Sequence, residues 1–167
     1  DNILFLDTVD GGHTLTLNAG AGGNITAVAS IGANTPLAAV NVTDGAVQSF
    51  AGITAGSLTI FDATTSVTIN AASMITNDVA VTSGGTITLD GKMSVTSGTL
   101  EFTTTSGGGD VTINAEIDPP STVTLSSVDD VVINSSTNAD DLITIAAGTD
   151  GSGSARINAG GDLSTNN

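Results

Sequence analysis

The chain has 167 residues, 39% of them hydrophobic, with four Phe, no Trp, Tyr or Cys, and two basic residues against 17 acidic ones for a formal net charge of −15. That balance excludes nucleic acid and anionic membranes as partners, since both need Lys and Arg against phosphate, and the missing cysteine excludes disulfide staples, thiolate metal sites and a Cys nucleophile. The apolar residues suffice for one core, but they are nearly all Val, Ile, Leu and Ala rather than the aromatics that fill two-layer domains.

In the opening third, residues 3–7, 15–18, 24–29, 37–42 and 47–50 read as short strands separated by Gly11-Gly12, the Gly-rich run 20–23 and Gly45. The chain opens at Asp1 without a Met or the basic region of a signal peptide, which reads as a mature or excised piece of a longer protein. No apolar run reaches the roughly 18 residues of a membrane helix, so membrane insertion is not expected.

From residue 57 onward two ladders interleave. The first is Val67-Thr68-Ile69-Asn70, Ile87-Thr88-Leu89-Asp90, Val111-Thr112-Ile113-Asn114, Val131-Val132-Ile133-Asn134 and Ala155-Arg156-Ile157-Asn158. Its closing residues fall at 70, 90, 114, 134 and 158, giving steps of 20, 24, 20 and 24. The second is Leu58-Thr59-Ile60, Val79-Ala80-Val81, Leu100-Glu101-Phe102, Val123-Thr124-Leu125 and Ile143-Thr144-Ile145. Met74-Ile75 and Met93-Ser94-Val95 supply a short third side, and the longer coils carry their extra residues in Gly/Ser bulges at 106–109 and 148–154.

Internal periodicity of this length predicts a repeat array. Short strands at two or three per coil of about 20–24 residues predict an all-β, right-handed parallel β-solenoid with almost no helix. Residues 1–167 form one module whose coils are regular over 57–167. The register of 1–56 stays open, because Leu15-Thr16-Leu17-Asn18 matches the repeat slot while Asn18 lies 52 residues before Asn70. An antiparallel β-sandwich also suits such strand spacing, but it does not call for one tetrad recurring at 20 and 24. Alternation turns Val67 and Ile69, Val111 and Ile113, Val131 and Ile133 inward and Thr68, Thr88 and Thr112 outward. Asn70, Asp90, Asn114, Asn134 and Asn158 then close the strands at a corner, where side-chain amides stacked one coil apart form a ladder.

Together with this ladder, Thr8-Val9-Asp10-Gly11-Gly12, Leu15-Thr16-Leu17-Asn18-Ala19-Gly20 and Thr35-Pro36-Leu37 resemble the β-strand repeats of very large bacterial surface and secreted proteins, such as filamentous-haemagglutinin-like adhesins and autotransporter passengers. The resemblance implies an extracellular β-helix on the bacterial surface, serving as a stalk or fibre. The expected function is a structural or adhesive rod that joins others end to end or continues within a longer chain. The alternative is an adhesin domain that binds a glycan or surface protein.

The chemistry follows the ladder. Asp110 and Asp130 both precede their turn Asn by four residues, while Asp118, Asn138 and Asp162 follow theirs by four. Two columns of hard oxygen ligands result, which makes Ca²⁺ the candidate cofactor; the competing reading is that carboxylates on turns point into water. No EF-hand loop is present. An enzyme is not expected: Lys92, Arg156 and His13 are scattered, too few to hold an anionic sugar beside Asp129-Asp130 or Asp140-Asp141, and the lone His13 reads as a turn residue. Outward Thr59, Thr124 and Thr144 suggest ice binding, but Ala80 and Glu101 interrupt that column. The sequons at Asn24, Asn41 and Asn134 are of a kind so Asn-, Ser- and Thr-rich a chain makes by chance.

Overall fold

The computed structural model describes residues 1–118 and 120–165. All regular elements among them are strands. The first third holds β1 (Ile3–Phe5), β2 (Thr14–Asn18), β3 (Ile25–Ala27), β4 (Ala39–Phe50), β5 (Thr54–Ala55) and β6 (Leu58–Ile69). Then come β7 (Ser73–Ile75), β8 (Val79–Ser83), β9 (Thr86–Leu89), β10 (Met93–Val95), β11 (Thr99–Thr104), β12 (Val111–Ile113) and β13 (Ile117–Asp118). The last coils hold β14 (Thr122–Ser126), β15 (Val131–Ile133), β16 (Ser136–Ala139), β17 (Leu142–Ala146), β18 (Ala155–Ile157) and β19 (Asp162–Thr165).

Every pairing between these strands is parallel, and the chain winds as a β-solenoid of about seven turns with three faces. Face A stacks β2, the first half of β4, the first half of β6, then β8, β11, β14 and β17. Face B stacks β1, β3, the second halves of β4 and β6, then β9, β12, β15 and β18. Face C begins with the bridges Val9–Ile31–Ile53 and continues through β5, β7, β10, β13, β16 and β19.

One inward position of face B runs Phe5, Ala27, Phe50, Ile69, Leu89, Ile113, Ile133 and Ile157, so successive coils take 22, 23, 19, 20, 24, 20 and 24 residues. The expected alternation is present in the face B slots of β6, β12 and β15. Val67, Ile69, Val111, Ile113, Val131 and Ile133 are buried, and Thr68, Thr88 and Thr112 lie on the outer side. A core only one strand pair across needs stacked aliphatics rather than large rings, which accounts for the composition. Phe50 and Phe102 are the two aromatics fully inside.

The opening third departs from expectation in two ways. Residues 37–42 and 47–50 are not separate strands. Residues 39–42 and 47–50 lie in the twelve-residue β4, while Leu37 before it bridges Ala55; likewise 58–60 and 67–69 lie in the twelve-residue β6, so faces A and B share one sheet there. Register shifts between Gly45 and Val47 and between Ile60 and Ala63 let these strands bend without a loop. Asp62 sits at that bend with φ 55°, a conformation whose cost Asp tolerates better than most residues. Secondly, Leu15-Thr16-Leu17-Asn18 is not a copy of the Asn70 slot: Leu15 faces Val40, which faces Leu58, placing the tetrad on face A.

Close stacking at the B/C corner depends on small residues. A Cβ on Gly91 would lie 2.0 Å from the Ala71 carbonyl carbon and 2.2 Å from its oxygen, both backbone atoms of the coil before. Gly91→Ala is therefore expected to destabilise the fold by about 1–3 kcal/mol through forced separation of the two coils. Urea denaturation compared with Gly107→Ala, a loop glycine with open space around its Cβ position, checks this.

Candidate functional site

The corner that ends face B carries a side-chain ladder. Asn114 Nδ2 donates to Asp90 Oδ1 at 2.8 Å, Asn134 Nδ2 to Asn114 Oδ1 at 2.7 Å, and Asn158 Nδ2 to Asn134 Oδ1 at 2.6 Å. Asn70 occupies the same corner but turns its amide to the Ser49 hydroxyl and the Phe50 carbonyl, at 3.0 and 3.1 Å. In the coils before it, backbone bonding from Val28 to Phe5 and from Ala51 to Ala27 gives this corner to Leu6, Val28 and Ala51, which have no amide to contribute.

A second polar series runs where the chain enters face B. Val111 faces Val131, which stacks Asp110 directly beside Asp130. The carboxylates do not confront each other: Asp110 Oδ1 accepts the backbone N–H of Asp130 at 3.0 Å, and Asp130 Oδ1 accepts the N–H of Ser154 at 2.7 Å. Asn2 caps Asn24 in the same manner, and Asn24 reaches Val47. Each side chain thus satisfies a donor at the strand entrance of the following coil, a donor the ladder itself leaves unpaired. Asp130 Oδ2 further accepts from Arg156. The Ser154 backbone bond, with its hydroxyl and the Arg156 charge, holds the Asp130 carboxyl below its ordinary range. Next to it, loss of surrounding water and then the charges of Asp110, Asp130 and Asp150 push Asp129 up.

The other expected column is only partly assembled. Ser94 faces Asp118, and Ile117 faces Thr137, so Asp118 and Asn138 share a register position. Asp162 does not join them: it faces Ser136, and Ser164 takes the place beside Asn138, to whose Oδ1 it donates at 2.5 Å. The cause is the last B/C corner, where Ala159-Gly160-Gly161 holds two more residues than the single Ser135 of the coil before, with Gly160 at φ 99°. Lys92 Nζ lies 2.7 Å from Asp118 Oδ2 and 3.2 Å from Glu116 Oε2, tying two coils together on the surface. Among the described residues, no group of three or more His, Cys, Asp or Glu gathers in a way that could hold a metal ion.

Other polar features were not legible in the sequence. Ser83, Thr104 and Ser127 are fully or almost fully buried at the A/B corner. Thr104 and Ser127 both donate to the Gly109 carbonyl, at 2.8 and 2.6 Å, which pins the base of the 106–109 bulge to the core. Their signal was a small hydroxyl two residues beyond the face A pairs that end at Val81, Phe102 and Leu125, masked by Ser and Thr everywhere else. On face B the outward residues Thr26, Ser49, Thr68, Thr88 and Thr112 form an unbroken column, unlike Thr59 and Thr124 on face A, which Ala80 and Glu101 separate. His13 is exposed, its backbone N–H turned to Gly11.

Asp10 shows the capping device most clearly. Its carboxylate accepts from Asn34 N and Nδ2 and from Thr35 N at 2.8–3.1 Å, and the Asn34 side-chain bond, followed by the two backbone bonds, lowers its pKa to about 2. A depressed carboxylate pKa stabilises the fold above the unfolded value of 3.8 and loses that contribution as pH falls through the folded value. Between pH 5 and pH 2 the urea midpoint of the wild type is expected to drop further than that of Asp10→Asn, which has no charge to lose. Compared with protein-family models, curated proteins and solved structures, the chain matches none.

Proposed function

We propose that the chain is a structural and adhesive module of a bacterial extracellular fibre, stalk or filament, with the solenoid as its stiff rod. Continuous parallel pairing from coil to coil carries this reading. From Phe5 to Ile157 each coil pairs with the next, and most inward positions are aliphatic throughout. Bending such a stack opens backbone hydrogen bonds and core contacts together, so the rod resists it. The bacterial surface setting rests on the resemblance of the repeat stretches to adhesin and autotransporter repeats. In that setting rods join end to end or continue within a longer chain, and the acidic surface keeps them apart laterally until cations such as Ca²⁺ bridge them.

Negative-stain imaging of native source material, with light scattering of the isolated chain across concentration, tests the reading. A fibre of solenoid cross-section and particles that lengthen with concentration support it. A particle that stays monomeric at every concentration removes end-to-end joining, and a melting temperature unchanged by Ca²⁺ or chelator removes the cation. Reproducible glycan-array binding replaces the rod with an adhesin domain.

A further inference from the structure

We draw no further inference here: the strongest candidate, the open groove at the C-terminal end of the last coil between Leu142 and Ile143 on face A and Leu163 and Thr165 on face C, is an unpartnered strand edge, and nothing in the structure shows what covers it.

Discussion

Phe102→Ala is expected to lower the unfolding free energy by about 3–5 kcal/mol, the range for emptying a buried aromatic site. Phe102 is fully buried on β11, facing Val81 in the coil before and Leu125 in the coil after. In a globular core several layers can relax into such a void. Here the two flanking residues are fixed by their own strand ladders, one strand spacing of about 4.8 Å away, so little collapse is open to them. The loss should appear in urea denaturation followed by circular dichroism, beside Thr112→Ala, whose outward side chain should change stability by only about 0.5 kcal/mol. A Phe102→Ala loss as small as that of the control would contradict the packed column.

Gln48→Leu is expected to act in the opposite direction, raising stability by about 2 kcal/mol or more. Gln48 is completely buried on face B, where Ile25 and Val67 flank it, and both its Oε1 and Nε2 lack a hydrogen-bond partner. A buried polar group without a partner costs about 1–3 kcal/mol, and leucine removes two of them. The placement follows from corner length. Gln48 comes six positions after Val42, as Ile87 does after Val81 and Val131 after Leu125, while Ile60 to Val67 takes seven. Val47 is the apolar neighbour, but it would have to turn the corner in five. Coil geometry therefore overrides side-chain preference, and thermal melting of the variant reads the cost directly. A melting temperature at or below wild type would mean that the amide is paired in solution.

These two positions also indicate how far the sequence could be read. Over residues 57–167 the tetrads carry both periodicity and a polar marker, so coil length, inward faces and the stacking of Asp110 on Asp130 were all accessible. In the first coils the marker is absent: Leu6, Val28 and Ala51 stand where Asn stands later, and Asn18 ends a strand on a different face. Two corners there are continuous bent strands, which leave no Gly/Ser loop to punctuate them. At the other end, Gly160 and Gly161 lengthen a corner by two residues, and counting four from Asn158 lands on the wrong partner for Asn138. Of the chemistry, the carboxylate column was visible, but what it caps was not: the donor is a backbone N–H, identical in every residue type except proline.

The amide ladder from Asp90 to Asn158 runs one way, each Asn giving its proton to the neighbour on the N-terminal side. Because every rung is alike, removing one whole turn between equivalent rungs, such as 115–134, would set Asn158 on Asn114 with the same donor and acceptor meeting. Removing five residues from that turn would strand an amide and rotate its strand's side chains to the opposite face. Changes in the length of this region are thus quantised: whole turns can be added or removed with the amide ladder's donor–acceptor pairing kept.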